Sequence, residues 1–453
     1  MSCGFTERPP SPAPCMTLAQ SSRLRLVTFS ALYLVQGIPT GFITITLAAL
    51  LAEQGYSAGA VAALMTINYI PWGIKVLYGP WLDRHTHSAM GRRRPWILGA
   101  QCGMLVSLSV LLAVPGVESV GLVPIALTIF VYNLFGALQD VATDALAVDL
   151  LAPDERGFVS GAMWSSKIGG IAIGGAGMSL VLSQYGWRPA IAVQLVLLLL
   201  AVGFPLLIRE REDERYWALP FRHSAVPDDP AEAAAHENVR DVVRQLVDTF
   251  RQPVASILAL LALLAAVPTR MMVTYGPVFT VQQLGWTDTG YSQFAGGPAL
   301  LAGAAGAVLG GWLADRLGRR RMVAAAAVGI ICTFLAFALM RPWWSVTGFV
   351  VVFLLAGMFF DMTLRMSLQA IYMTTTRDAV AATQFTIYMT LGNMSNVVGS
   401  ALITPLDALF EARSIFFCAA VLGVVPLVLL YWLPPVPETG DAAPESAVPQ
   451  NPS

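Results

Sequence analysis

Twelve long apolar segments, distributed along almost the whole chain, constrain its fold more than any other sequence feature. A helix that crosses a lipid bilayer needs about 20 mostly apolar residues, because its backbone polar groups must be paired within the hydrocarbon. The predicted segments run 26–51, 57–81, 95–114, 121–148, 157–183, 189–209, 254–283, 289–314, 322–340, 343–373, 380–408 and 413–433. The sequence therefore predicts an all-α integral membrane protein with twelve transmembrane helices.

The composition argues against a soluble enzyme. Charged residues make up 12% of the chain and hydrophobic residues 56%, whereas about 25% of a typical soluble domain is charged. The net charge of −1 gives no reason to expect nucleic acid as a partner. The five cysteines and four histidines lack metal-ligand spacing. We therefore expect no enzyme activity, no cofactor and no metal.

A polar interruption divides the chain into two halves with six segments each. The predicted regions are a cytoplasmic N-terminal tail (1–25), an N-terminal six-helix bundle (26–209), a cytoplasmic linker with an amphipathic helix (210–253), a C-terminal six-helix bundle (254–433) and a disordered C-terminal tail (434–453). Apolar residues at helical spacing between Val239 and Phe250 predict the amphipathic helix.

The distribution of basic residues predicts the orientation in the membrane. With the N-terminus inside, most of the 27 lysine and arginine residues fall in cytoplasmic segments, and only Arg188, Arg341 and Arg413 face the other side. Cytoplasmic loops of membrane proteins carry an excess of lysine and arginine. Both termini are therefore predicted to be cytoplasmic, with a bacterial inner membrane as the expected location.

The two halves share a motif after their second segments. Gly79, Asp83 and Arg84 precede a Gly-Arg-Arg-Arg run in the first half, and Gly311, Asp315 and Arg316 do so in the second. An aspartate next to a basic loop can hold neighbouring helix ends through charge-assisted hydrogen bonds. The predicted gating loops consist of Gly79, Asp83, Arg84, Arg92 and Arg93, and of Gly311, Asp315, Arg316, Arg319 and Arg320.

This repeated loop resembles the signature loop of the major facilitator superfamily. A narrower pattern is similar to the AmpG-type muropeptide permeases and their acetyl-CoA and siderophore transporter relatives. Its elements are Gln36-Gly37-Ile38-Pro39, Lys75, Gly91 to Trp96, Gln139-Asp140 with Asp144, and Asp154 to Gly157. The resemblance implies two six-helix bundles related by a pseudo-two-fold repeat, around a central cavity that works by alternating access.

Charged residues inside the apolar segments are the main site candidates, since a charge near the centre of a membrane helix is costly. Asp140 and Asp144 lie one turn apart in the fourth segment, where one carboxyl could be protonated near neutral pH. They could act in proton coupling or substrate contact, or could pair structurally with Lys75 or Lys167.

The second half carries basic groups. Asp361 and Arg365 in the tenth segment could form an internal ion pair, or Arg365 could bind a substrate carboxylate or phosphate. Arg270 in the seventh segment is a second candidate anion ligand. Uncharged candidates are Gln36, Asn133, Asn393 and Asn396, and the candidate aromatic rings are Tyr69, Trp72, Tyr132, Trp164 and Tyr388.

These features predict a secondary transporter that acts as a monomer and imports a bulky polar or anionic small molecule together with protons. Muropeptides and siderophores both fit this charge pattern. A drug or metabolite efflux antiporter is the alternative within the same superfamily. A membrane-embedded enzyme is the alternative from another class, and the absence of intramembrane histidines argues against it.

Overall fold

The computed structural model describes residues 17–84, 88–152, 154–212, 214–216, 239–375 and 381–434. These residues contain twelve long helices, here α1 to α12, whose ends lie within about four residues of the predicted segments. They are Ser22–Glu53, Ala58–Leu77, Arg94–Ala113, Leu122–Leu150, Arg156–Tyr185, Trp187–Leu207, Pro253–Gln283, Asp288–Leu317, Arg319–Leu339, Thr347–Thr375, Ala381–Leu409 and Ala412–Trp432. The predicted all-α membrane fold is confirmed.

Eleven of these helices are long and apolar enough to cross a bilayer. The twelfth, α11, spans 29 residues and carries the polar positions Asn393, Asn396 and Ser400. Large apolar side chains such as Val106, Leu200 and Val308 remain well exposed. Exposed apolar side chains on long helices suit contact with lipid.

The helices form two bundles of six. In the first bundle α1 packs on α5, and α4 packs on α2 and α3; in the second, α10 packs on α8 and α9, and α7 packs on α11. Between the bundles, α2 packs on α11, α5 on α8 and α1 on α7. The predicted linker helix is present as Val239–Phe250.

The internal repeat is visible in matching local features. Both α1 and α7 contain a proline, Pro39 and Pro277, shortly before a π-helical turn, at Phe42–Leu47 and Phe279–Gln283. Such turns interrupt the regular i to i−4 pairing and are frequent at functional sites. Both turns contact a helix of the other bundle, the first from within α1 and the second from the end of α7.

Several predictions fall on residues outside the described ranges. They are most of the N-terminal tail (1–16), the centre of the linker (217–238) and the C-terminal tail beyond residue 434. The backbone of the first gating loop is described up to Arg84, but the side chains of Asp83 and Arg84 are not.

Candidate functional site

Asp140 is at the centre of a charged cluster in the first bundle. The Asp140 carboxylate on α4 lies 2.8 Å from the ammonium of Lys75 on α2 and 3.5 Å from that of Lys167 on α5. The side-chain amide of Gln36 on α1 donates to the carbonyl of Gly136, one turn before Asp140, at 3.5 Å. Asp140 is only 3% exposed, so two cations replace the water that the buried carboxylate has lost.

Asp144 lies one turn further along α4 and has a different environment. Its carboxyl group accepts a hydrogen bond from the hydroxyl of Tyr33 on α1, and it is less buried than Asp140. With both aspartates ionised, the cluster contains two negative and two positive charges. Protonation of one aspartate gives the cluster a net charge of +1.

Three aromatic rings surround Lys167. Its ammonium nitrogen lies 4.7 Å from the ring centroid of Trp72, 5.3 Å from that of Trp164 and 5.5 Å from that of Tyr33. Cation–π attraction at these distances stabilises the charged form of a desolvated amine. Lys167 is therefore held both by its ion pair with Asp140 and by the rings.

Asn133 positions one of these rings. Its side-chain oxygen accepts a 2.8 Å hydrogen bond from the indole of Trp72. Its amide nitrogen donates to Asn68, at 2.9 Å, and to the carbonyl of Ile129. Both polar ends of Asn133 are thus engaged within the protein. Sequence reasoning missed Asn68, although an asparagine one turn before Trp72 in an apolar segment was a usable signal.

Asp361 organises the second bundle. It is 1% exposed and accepts hydrogen bonds from Thr269, at 2.5 Å, from Arg365, at 3.3 Å, and from Arg270. The predicted pair between Asp361 and Arg365 is present, but Arg270 joins it from α7. One carboxylate therefore serves two guanidinium groups, which leaves one excess positive charge.

The excess charge coincides with unused hydrogen-bond donors. The Nε atom of Arg270 and an Nη atom of Arg365 are buried without a hydrogen-bond partner. The Arg365 side chain remains 27% exposed. Because a buried unpaired donor is costly, this arrangement favours an additional oxygen acceptor beside the two arginines.

A cavity of about 360 Å³ between the bundles connects the two clusters. Seven predicted site residues line it: Asn133, Lys167, Arg270, Asp361, Arg365, Asn393 and Asn396. The predicted rings Tyr69, Trp72 and Trp164 also line it, whereas Tyr132 and Tyr388 are buried elsewhere. Lys75, Asp140, Asp144 and Gln36 lie behind this wall, and Lys167 links them to the cavity.

Hydrogen bonds between the bundles close one end of the molecule, here called the sealed end. Because successive helices alternate in direction, the ends of α1, α5, α7 and α11 lie on the same side as the starts of α2 and α8. There Gln282 donates to the carbonyls of Ala52 and Tyr56, and Gln293 donates to the carbonyl of Ala176.

Asp407 adds a cap to this seal. Its carboxylate accepts a 2.8 Å hydrogen bond from the backbone N–H of Gly59, in the first turn of α2, and Thr404 donates to the Gly59 carbonyl. A carboxylate at a helix N-terminus is stabilised by the free N–H groups and by the helix dipole. A residue of the second bundle thus caps a helix of the first.

The two gating loops make different contacts. In the first half, Arg93 donates to Asp149 at the end of α4, at 3.1 Å, and Arg92 lies 3.9 Å from the same carboxylate. In the second half, Asp315 pairs with Arg319 at 3.9 Å and is 72% exposed. The remaining basic residues of that loop contact their own bundle.

These contacts keep the second loop on the C-terminal bundle. Arg316 stacks on Trp312, Arg319 donates to the carbonyl of Ala370, and Arg320 donates to the carbonyl of Leu430. A Cβ added at Gly79 or Gly311 would meet nothing within 4 Å. The latch role of these loops stays a prediction.

Comparison with known proteins agrees with this architecture. The Major Facilitator Superfamily pattern matches residues 29–400. The chain is 26% identical over 407 residues to the anhydromuropeptide permease of Escherichia coli (strain K12). The aligned region covers 87% of this chain and 76% of that protein. An uncharacterized protein of Haemophilus influenzae is 30% identical over 154 residues, 34% of this chain and 35% of that protein.

Solved structures show the same fold. The crystal structure of the nucleoside transporter NupG covers 90% of this chain and 99% of its own, with a TM-score of 0.68 at 12% identity. A D-xylose–proton symporter covers 92% and 98%, with a TM-score of 0.64 at 16% identity. The family match over residues 29–400, together with this fold, defines a membrane transporter. The chain belongs to the Major Facilitator Superfamily.

Proposed function

We propose that this chain is a proton-coupled importer of a muropeptide-like anionic solute. The observation that carries the proposal is the arginine pair in the cavity, where Arg270 and Arg365 share the single carboxylate of Asp361. A carboxylate on the solute would fill the unused donors and balance the excess charge. The similarity to an anhydromuropeptide permease over most of the chain supports a muropeptide rather than a siderophore.

The charge balance of the two clusters supports the proposed proton coupling. Asp140 is paired with two lysines, so Asp144, whose described partner is a tyrosine hydroxyl, is the proposed proton carrier. A proton on Asp144 makes the cavity region more positive by one charge and therefore favours an anion. By thermodynamic reciprocity, the bound anion raises proton affinity at Asp144 by the same factor.

The position of the sealed end indicates the side of the membrane on which the cavity lies. If the basic loops lie in the cytoplasm, as their charge predicts, the sealed end faces outward and the cavity lies on the cytoplasmic side. We infer that this is an inward-facing state of a monomeric carrier in the bacterial inner membrane. Solute and proton would leave together from this state, and the empty carrier would then return.

Uptake into proteoliposomes would test the proposal. The purified chain should accumulate a radiolabelled anhydromuropeptide when the lumen is made alkaline, and an uncoupler should abolish the accumulation. A ferric siderophore should not compete. Uptake that is independent of the pH gradient would contradict proton coupling. Competition by the siderophore without muropeptide uptake would contradict the proposed solute.

A further inference from the structure

Beyond the charged residues, the cavity continues into an apolar compartment. It is formed in the second bundle by Phe294, Phe334, Phe353, Leu354 and Met358. On α10, Phe353 lies two turns before Asp361, a separation of about 12 Å along the helix. The compartment therefore extends from the arginine pair towards the sealed end. Nothing in the proposed charge recognition uses these side chains.

Gly357 connects the two parts of the cavity. Phe353, Gly357 and Asp361 are spaced four residues apart and share one face of α10. Gly357 lines the cavity, and a Cβ added there would meet no atom within 4 Å. The position thus leaves open space beside the path from the charged residues to the compartment.

Side chains of the compartment suit an apolar group of variable shape. Met272, Met358 and Met362 line the same cavity, and methionine adapts to irregular partners because it is unbranched and polarizable. Phe334 and Phe353 add rings that already pack against each other, with centroids 6.0 Å apart. These apolar walls offer water few hydrogen bonds. A hydrocarbon or aryl group would leave water on entering and would contact apolar side chains on several sides.

We propose that the transported solute is an amphiphilic anion, with an apolar acyl or aryl group that occupies this compartment while its carboxylate binds Arg270 and Arg365. The proposal rests on the proposed anion transport and adds a second specificity element to it. The two arginines bind the negative charge of the solute, and the apolar compartment binds its apolar group. A small polar anion would contact only the arginines.

Calorimetric titration of the full-length protein in lipid nanodiscs tests this proposal. The probes are N-acetyl-, N-butanoyl- and N-hexanoylglycine, which share one carboxylate and differ in chain length; heats from empty nanodiscs are subtracted. Affinity should rise about fourfold for each added CH₂ group, since burial of one is worth about 0.8 kcal/mol. The uncharged N-hexanoylglycinamide should bind at least tenfold more weakly than N-hexanoylglycine.

Two matched variants locate the effect. Gly357→Leu should abolish the dependence on chain length while N-acetylglycine still binds. Gly348→Leu, on the same helix and also with open space around it, should leave the dependence intact. Equal affinities across the series, or an equal effect of both variants, would overturn the proposal. Failure of muropeptide uptake together with a clear chain-length dependence would instead reject the proposed solute and retain the compartment.

Discussion

Glu210 joins the start of the linker to the first bundle. Its carboxylate accepts hydrogen bonds from the backbone N–H groups of Arg92, Arg93 and Arg94, at 3.2, 3.0 and 2.6 Å, and so caps the start of α3. Glu214 in turn accepts a hydrogen bond from the Glu210 backbone, at 3.0 Å. Burial, and then repulsion from Glu210, raises the pKa of Glu214 to about 7.

This pKa makes attachment of the linker pH-dependent. An acid whose pKa is raised by folding stabilises the folded state fully only below its ordinary pKa of 4.5, and that contribution is lost as the pH rises from there through 7. Glu214→Gln should therefore raise the Tm above that of the wild type at pH 8, by about 2 °C, and match it near pH 4. Asp154→Asn, at an exposed position, is the control. An equal Tm difference at both pH values would contradict this account.

Individual charged residues were predictable from the sequence, but their partners were only partly so. An ionisable residue in an apolar segment is conspicuous, and spacing along one helix predicted the pair of Asp361 with Arg365. The contacts of Asp361 with Arg270, and of Asp144 with Tyr33, depend on how two helices are rotated against each other. Periodicity identifies the face of each helix but not that rotation.

Among the helices, α1 and α5 make the closest approach described in the first bundle. A Cβ added at Gly37, Gly41, Gly170 or Gly174 would collide with a backbone carbonyl of the opposite helix. Small residues allow membrane helices to pack at this distance. The contact also sets the position of Tyr33 on α1 relative to Lys167 on α5, and therefore the geometry of the charged cluster.

Gly170→Ala should force the two helices apart. We expect the free energy of unfolding to fall by about 1–3 kcal/mol, the usual cost of overpacking, with a corresponding drop in Tm. The neighbouring Gly169→Ala is the matched control, because its Cβ would lie at an ordinary 3.8 Å from Leu34. A thermal shift assay in detergent compares the two. Equal stability of both variants would contradict the close-packing argument.

Helix positions themselves followed closely from the sequence, since a run of 20 apolar residues has few other structures available to it. The π-helical turns and the apolar compartment did not follow. Both depend on which residues of neighbouring helices meet, and an apolar residue that faces lipid has the same pattern as one that faces the cavity.

At the scale of the whole molecule, the seal between the bundles must break if the carrier alternates. The Asp407 cap on α2 is one of its hydrogen bonds. Asp407→Ala should open the sealed end more often, by about fivefold, since loss of a cap costs about 1 kcal/mol.

Alkylation of A299C, in a chain without its native cysteines, reports this opening because Ala299 lines the cavity and is 5% exposed. An impermeant reagent added on the sealed side should react faster in the Asp407→Ala background. Glu411→Ala, at a residue 81% exposed nearby, should leave the rate unchanged. An equal alkylation rate of A299C with and without Asp407→Ala would exclude a gating role for the Asp407 cap.

Proton movement caused by the solute tests the central claim most directly. Proteoliposomes that contain a pH-sensitive dye, with no imposed gradient, should acidify when an anhydromuropeptide is added outside. Asp144→Asn should bind the solute at least as tightly as the wild type, because its neutral amide resembles the protonated carboxyl, and should give no acidification, because it cannot carry the proton. Acidification by Asp144→Asn at the wild-type rate, or solute uptake by the wild type without any acidification, would contradict the account.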